Sequence, residues 1–182
     1  MITRTYDTRL CKSFAIYSEC ENYRYALQRS WNAEKPLVNF LMLNPSKATE
    51  RQNDPTVARC QRRAENLGYG SFVVTNLFAY RETEPDVMKA QDDPVGAEND
   101  DVILSVAERA GIVICAWGKH GAYLKRSTAV RELLQELADR IRGFVLCKWG
   151  EPGHPLYVAY EKQPLPLDQC PVIKPRRRAK SK

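Results

Sequence analysis

The sequence lacks any segment that would place it in a membrane. No stretch of about 18 or more apolar residues occurs, and residues 1–9 are polar and charged where a signal peptide would need an apolar run. We therefore expect a cytoplasmic protein without a membrane partner. The chain has 182 residues, enough to bury a core without metals or disulfides, and we expect residues 1–173 to form one α/β domain.

The sequence also lacks the patterns of metal centres and of several large enzyme classes. Its six cysteines show no CxxC or Cys/His spacing, so we expect reduced thiols, no metal and no cofactor. Only two histidines are present. No P-loop, GxGxxG, HExxH or Ser/His/Asp order appears, which removes most of the support for the corresponding enzymes.

The excess positive charge lies at one end of the chain. The net charge is +6, and of the 28 basic residues six fall within residues 174–182, which contain no acid. The other 22 balance the 22 acidic residues. We expect a disordered basic tail that either contacts phosphates or serves only solubility.

Apolar runs of strand length occur at four places. They are residues 37–43, 71–75, 112–117 and 144–147. Runs that are almost continuously apolar are typical of strands buried on both faces, as in a parallel sheet. Upstream, residues 13–18 and 23–28 flank a turn and predict a β-hairpin.

Helical patterns separate the apolar runs. Asp54 and Pro55 offer an N-cap and a first helical residue for a helix over about 55–67, and a second helix is expected at 99–110. A third helix has an apolar face formed by Val130, Leu133, Leu134, Leu137 and Ile141. The alternation predicts a three-layer α/β/α sandwich around a mostly parallel four-stranded sheet, plus the N-terminal β-hairpin.

Polar residues follow each predicted strand. Asn44, Asn76, the loop from Gly118 to His120, and His154 all fall at the carboxyl ends of strands or in the loops beyond them. Because ligands of parallel α/β sheets bind at these ends, the four loops predict one site for a nucleotide or nucleic acid.

Each of these residues has both a functional and a plainer interpretation. The amide of Asn76 matches the hydrogen-bonding edge of a base, and the imidazole of His154 can donate to a developing anion. Alternatively, Asn44 belongs to an ordinary turn, Asn76 is a cap and His154 is an incidental loop residue. Trp117 and Trp149 either stack on bases or pack in the core.

The order of these loops resembles the uracil-DNA glycosylase superfamily. The segments that carry the resemblance are Met42-Leu43-Asn44-Pro45-Ser46, Val74-Thr75-Asn76-Leu77, Ala116-Trp117-Gly118-Lys119-His120 with Lys125, and Gly153-His154-Pro155-Leu156. In the superfamily, motifs of this kind follow successive strands and line the pocket for a flipped base.

The resemblance implies specific roles. Asn44 would orient the hydrolytic water, while His154 would stabilise the departing base anion. Asn76 would read the base edge, and Lys119 or Lys125 would bind a phosphate. Ser46 would lie beside the base, where the superfamily has an aromatic residue that excludes thymine. The Ser-Pro-Leu-Ser continuation that wedges into DNA in the superfamily is absent after Pro155.

A closer resemblance is to a bacterial and phage family catalogued as domain of unknown function 1643. The segments that carry it are Tyr23-Arg24-Tyr25, Leu43-Asn44-Pro45-Ser46, Asn53-Asp54-Pro55-Thr56, Asn76-Leu77-Phe78-Ala79, Ala116-Trp117-Gly118 and His154-Pro155-Leu156-Tyr157. This resemblance covers almost the whole chain and indicates kinship rather than activity.

Three functional hypotheses follow. The leading one is hydrolysis of an N-glycosidic bond on a flipped or single-stranded nucleotide, a modified or damaged pyrimidine, with DNA favoured over RNA as the partner. The second is a non-catalytic binder of nucleotides or nucleic acid with the same fold. The third is an interaction protein that works through its basic tail.

Overall fold

The structure is a computed structural model that describes residues 1–173. The basic tail predicted for residues 174–182 lies outside the described residues. Within residues 1–173, eight strands form one mixed sheet in the order β1-β2-β3-β5-β4-β6-β7-β8. The strands are β1 (Ile2–Asp7), β2 (Lys12–Tyr17), β3 (Arg24–Ser30), β4 (Leu37–Met42), β5 (Ser71–Asn76), β6 (Ile112–Cys115), β7 (Ile141–Gly143) and β8 (Leu165–Pro166).

The helices follow the predicted alternation. They are α1 (Pro55–Asn66), α2 (Pro85–Lys89), α3 (Asn99–Arg109) and α4 (Arg126–Leu133), with 3-10 segments at Lys119–Lys125, Gln135–Arg140, Pro155–Tyr157 and Leu167–Gln169. The helices expected at 55–67 and 99–110 are confirmed as α1 and α3. Asp54 caps α1, because its carboxylate accepts a hydrogen bond from the Val57 amide at 2.8 Å. Such a cap contributes about 1 kcal/mol.

Helices pack on both faces of the sheet. Side chains of α1, including Cys60 and Ala64, pack against Phe72 and Val74 on one face. Residues of α3 and α4 pack on the opposite face, where Leu41 is among their partners. The core residues of the two faces alternate along the central strands, because neighbouring side chains of a strand point to opposite faces of the sheet.

The α/β class is confirmed, but the predicted four-stranded sheet is wrong, because the sheet is larger and mixed. Strands β5, β4, β6 and β7 run parallel, and β2 with β3 forms the expected N-terminal hairpin. The hairpin joins the parallel strands through antiparallel pairing of β3 with β5. Strand β1 escaped prediction because it is an exposed edge strand without apolar alternation.

The fourth parallel strand also lies elsewhere than predicted. It covers Ile141–Gly143 instead of residues 144–147, and it pairs with β6. Ile141 fits the apolar spacing of a helix, but α4 ends at Leu133 and the chain then continues as a 3-10 segment. The apolar run that begins at Phe144 predicts a strand, but Phe144 instead packs in the core on the α1 face.

Two further properties concern the whole described chain. All six cysteines are free thiols, as expected. No helix within residues 1–173 is both long and apolar enough to cross a membrane. The assignment of residues 1–173 to one domain stays a prediction.

Candidate functional site

Asn76 is the most unusual polar residue at the carboxyl edge of the sheet. It ends β5 and is only 1% exposed, yet neither Nδ2 nor Oδ1 has a hydrogen-bond partner within residues 1–173. Strand alternation places its side chain on the same face as Phe72 and Val74, the face covered by α1. Leaving a buried polar group unpaired costs about 1–3 kcal/mol, so the amide of Asn76 is a candidate contact for a ligand.

Asn44 lies in the loop after β4, and its amide orientation is set by two acceptors. Nδ2 donates to the carbonyl oxygens of Pro45 at 3.2 Å and Glu82 at 2.6 Å. The Glu82 amide in turn donates to the Pro45 carbonyl at 2.9 Å, so the two loops are joined. Within the described residues no hydrogen bond reaches Asn44 Oδ1. That oxygen is therefore available to accept a hydrogen bond from a water molecule.

Ser46 belongs to a polar cavity beside the Asn44 loop. Its hydroxyl lies 2.9 Å from the hydroxyl of Thr83. The cavity has a volume of about 280 Å³ and is lined by Glu21, Asn22, Ser46, Lys47, Tyr80, Arg81, Glu82 and Thr83. Ser46 thus lies beside charged and hydroxyl groups, a polar environment that suits an ionic part of a ligand.

His154 lies beside Gly118, just beyond the end of β6, and a backbone contact indicates its tautomer. Its Nδ1 accepts a hydrogen bond from the Leu156 amide at 3.3 Å, so the neutral ring carries its proton on Nε2. Burial lowers the pKa of His154, and the nearby Asp54 carboxylate opposes that shift. A neutral imidazole with a free Nε2–H is a hydrogen-bond donor at neutral pH.

His154 approaches the end of β6 through a glycine. Gly118 has a φ of 72°, and a Cβ built on it would lie 3.8 Å from the Cβ of His154. The 3-10 segment that follows His154 is held on α1, since Arg59 donates to the Pro155 carbonyl at 2.7 Å. These contacts bring the last predicted loop to the first helix, on the face where Asn76 lies.

The two strand-end tryptophans differ in environment. Trp117 is 1% exposed, and its indole N–H donates to the Glu151 carboxylate, so it packs in the core. Trp149 is 69% exposed at the tip of a hairpin formed by residues 145–153. We call this segment the Trp149 hairpin. Lys148 Nζ lies 4.5 Å from the centroid of the Trp149 ring.

An exposed aromatic ring also borders His154. Tyr157 is 83% exposed, and its ring centroid lies 5.8 Å from that of His154. Leu156 beside it is partly exposed as well. Of the two tryptophans predicted either to stack on bases or to pack, Trp117 packs in the core, whereas Trp149 is exposed. Tyr157 adds a second exposed ring, which the sequence did not indicate.

The two lysines predicted to bind phosphate are both exposed. Lys119 begins the 3-10 segment after β6, and Lys125 ends it with a left-handed φ of 55°. Lys125 directly precedes α4, which packs on the face opposite α1. Their phosphate-binding role stays a prediction.

Two arginines near the site were not singled out by sequence reasoning. Arg24 is 2% exposed in β3, lies opposite Tyr17 of β2 and bonds the Ala48 carbonyl. Arg81 lies in the loop after Asn76 and places its guanidinium 5.1 Å from the centre of the Tyr17 ring. A charged residue inside a predicted strand was the available signal for Arg24, whereas a loop arginine such as Arg81 gives none.

A second cavity, of about 300 Å³, lies on the opposite face of the sheet. Its lining is mostly apolar and includes Leu41, Cys115 and Trp117. Burial raises the pKa of the Cys115 thiol to about 12, so this cysteine is not a nucleophile at neutral pH. The polar site residues described above do not line this cavity.

Comparison with known families assigns the chain. A family model described as "Protein of unknown function (DUF1643)" matches residues 24–156. The chain belongs to this family. The DUF1643 match begins at Arg24 and extends past His154, so it includes Asn44 and Asn76. No curated protein and no solved structure matches the chain.

Proposed function

We propose that this DUF1643 protein hydrolyses the N-glycosidic bond of a flipped or single-stranded nucleotide, with a modified or damaged pyrimidine in DNA as substrate. The observation that carries the proposal is the unpartnered, buried amide of Asn76 at the carboxyl end of β5. A pyrimidine presents neighbouring donor and acceptor groups, and one asparagine amide pairs with both.

The surrounding residues provide complementary chemistry. In the reaction a water oxygen bonds to C1′ of the sugar, and the bond between C1′ and the base nitrogen breaks, so the electron pair leaves with the base. Asn44 Oδ1 would accept a hydrogen bond from that water, and His154 Nε2–H would donate to the base anion. The water proton passes to solvent because an amide is not a base, so we expect slow turnover.

The strand-end motifs support this assignment. Asn44, Asn76, Gly118 and His154 follow each other in the order of the corresponding motifs of the uracil-DNA glycosylase superfamily. The parallel pairing of β5, β4 and β6 supports the same interpretation, because it brings their carboxyl ends to one edge. A cytoplasmic enzyme without a cofactor is part of the proposal.

Exposed aromatic rings support a nucleic acid as partner over a free nucleotide. Trp149 and Tyr157 lie on the segments that flank His154, and Lys148 lies against the Trp149 ring. Aromatic rings stack on unpaired bases at about 1–3 kcal/mol per base, and a neighbouring cation suits the phosphate backbone. We expect tighter binding to single-stranded than to fully paired DNA.

The second candidate function, non-catalytic binding, has one observation in its favour. The Asp54 carboxylate, which influences the pKa of His154, is engaged as the N-cap of α1. The site therefore has the amide of Asn44, and not a free carboxylate, to contact the water. Such an arrangement also suits a protein that binds a nucleotide without hydrolysing it.

One experiment separates the two candidates. Binding and single-turnover base release are measured together on oligonucleotides that carry uracil, thymine, hydroxymethylated or glucosylated pyrimidines, in single-stranded, duplex and RNA form. The glycosylase proposal expects release of at least one base from a bound oligonucleotide. Binding without release from any member of the panel would support the second candidate and contradict the first.

A further inference from the structure

The polar cavity beside Ser46 has a cationic side that the proposed chemistry does not use. It lies next to the Asn44 loop, because the Asn44 amide donates to the carbonyl of Glu82, one of the cavity's lining residues. Two cations, Lys47 and Arg81, and two carboxylates, Glu21 and Glu82, line it. Equal numbers of charges would make the cavity neutral if all four groups were free.

The carboxylates of the cavity are already engaged. Glu21 forms an ion pair with Arg4. Glu82 Oε1 accepts hydrogen bonds from the backbone amides of Thr83 at 2.6 Å and Glu84 at 3.3 Å. Glu21 is thus paired with Arg4 and Glu82 is held by two backbone amides, so neither carboxylate forms an ion pair with either cation of the cavity.

The cations, in contrast, have spare donors. Arg81 Nη1 donates to the Glu21 carbonyl at 2.9 Å, but its buried Nε has no partner. Within residues 1–173, no carboxylate lies within 4.0 Å of either Arg81 or Lys47. Lys47 is exposed at the cavity mouth.

A third cation lies on the same side. Arg24 lies opposite Tyr17 in the β2–β3 register, and the guanidinium of Arg81 covers the same ring. Arg24 is almost fully buried, its Nε is unpartnered, and no carboxylate lies within 4.0 Å of it in the described chain. Burial lowers the pKa of Arg24 to about 10, so it remains charged at neutral pH.

Arg24 is the one buried cation of the three, and a buried cation without a carboxylate against it is costly because it loses its hydration. An anion bound nearby would offset part of that cost. Guanidinium groups form charge-assisted hydrogen bonds with phosphate oxygens, and the paired hydroxyls of Ser46 and Thr83 can rotate to donate to the same group.

We propose that this cavity binds a phosphate group of the nucleotide substrate through Arg81 and Lys47, with Ser46 and Thr83 as hydroxyl donors and Arg24 as a supporting charge. The inference deepens the proposed function and rests on it for the identity of the ligand. It assigns the phosphate to the Asn44 side of the site instead of to Lys119 or Lys125. In a nucleotide the phosphate and the base are attached to the same sugar. A phosphate held beside Asn44 would therefore position C1′ of that sugar for attack.

The test is a titration of the full-length protein with inorganic phosphate, deoxyuridine and deoxyuridine 5′-monophosphate, followed by NMR. We expect wild-type protein to bind phosphate and to prefer the monophosphate over the nucleoside. Arg81→Gln should weaken monophosphate binding about tenfold and Lys47→Gln several-fold, with nucleoside binding unchanged. Lys35→Gln is the matched control, since Lys35 is an exposed lysine just before β4, at the opposite edge of the sheet.

Lys47→Gln keeps the test valid if Arg81→Gln disturbs the fold, because Lys47 is an exposed side chain. Wild-type protein that binds no phosphate, or variants that bind it as wild type does, would overturn the inference. Loss in Lys119→Gln or Lys125→Gln alone would also overturn it. Phosphate binding that depends on Arg81 and Lys47 in a protein that releases no base would refute the glycosylase and leave the phosphate site intact.

Discussion

Asn39 and Asn76 show how differently the middle and the carboxyl edge of one sheet treat the same side chain. Both are almost fully buried, in neighbouring strands. In the middle of β4, Asn39 Nδ2 donates to Thr75 Oγ1 at 3.0 Å and to the Val73 carbonyl at 3.3 Å. At the end of β5, the amide of Asn76 has no partner within the described residues.

The two regions differ in whether their buried polar atoms are paired. In the middle of the sheet the Asn39–Thr75 pair satisfies its polar atoms internally, so it contributes to a specific fold. The edge instead leaves free the amide of Asn76, the oxygen of Asn44 and Nε2 of His154. Unpaired groups weaken the fold, and such sites are where proteins accept lower stability in return for binding or catalysis.

The largest expected effect is on the rate of base release and comes from residues at the carboxyl edge of the sheet. Asn44→Ala and His154→Ala should each lower single-turnover base release by on the order of 10²-fold, because preorganised hydrogen bonds to the reacting groups are lost. Thermal melts should show at most a modest loss of stability, which arises at Asn44 from its two loop carbonyl contacts. Unchanged release in both variants would refute their assignment.

The next effect is on stability and separates the two asparagines directly. Asn39→Leu should lower the free energy of unfolding by about 1–3 kcal/mol, because it leaves Thr75 without its partner. Asn76→Leu removes an amide that is already unpaired, so its cost should be smaller or its sign reversed. Urea denaturation of both variants measures the contrast, and equal losses would mean that Asn76 has a structural partner.

A pH profile examines the edge through His154. Burial lowers its folded-state pKa below the ordinary value of about 6.5. The unfolded chain therefore takes up a proton first, and stability should weaken as pH falls from about 6.5 towards the folded-state pKa and then level off. Protonation of Nδ1 also breaks its hydrogen bond with the Leu156 amide.

Base release should consequently stay constant as the pH falls to about 6.5 and decline only below the lowered pKa, because a ring that has lost its contact with the Leu156 amide no longer holds Nε2–H towards the base. His154→Gln should lack this decline. A wild-type rate that rises as the solution is acidified would contradict a neutral imidazole as the donor.

The smallest effect should come from residues 174–182, which belong neither to the middle nor to the carboxyl edge of the sheet. Deleting residues 174–182 removes six basic residues and leaves the described residues unchanged. Nucleic-acid binding should weaken, and its dependence on salt should become less steep, because fewer counterions are released from the phosphates. Equal salt slopes for the full-length and shortened proteins would exclude a phosphate-binding role for the tail.

Part of this structure could be predicted from the sequence. Continuous apolar runs indicated β4 and β5, and the Asp54-Pro55 pair indicated the start of α1, because these signals are local. The apolar spacing that ends at Ile141 was compatible with a helix, and only pairing with β6 makes it a strand. Strand β1 is exposed and carries no apolar pattern, so only its pairing with β2 identifies it as a strand.

The candidate site was predictable to the same extent. The ends of β4 and β5, which pair in parallel, indicated that Asn44 and Asn76 lie at one edge. His154 follows a hairpin instead of a parallel strand, and its approach to Gly118 is seen only in the structure. The buried Arg24 and the stacked Arg81 depend on contacts with Tyr17, which lies in another strand. The charge of Arg24 inside a predicted strand was a local signal for a special role, but its position beside Arg81 depends on long-range packing and was seen only in the structure.

The central claim, that Asn76 reads a base, is tested most directly by Asn76→Asp. The substitution replaces the amide donor with an acceptor of the same size. We measure single-turnover base release by wild type and variant on pyrimidines that differ in the hydrogen-bonding groups of their Watson–Crick edge. We expect the Asn76→Asp variant to lose about 1–3 kcal/mol of transition-state stabilisation for bases that present an acceptor to Nδ2 and to be affected less for bases that present a donor there. An equal change for every base would contradict a base-reading role for Asn76.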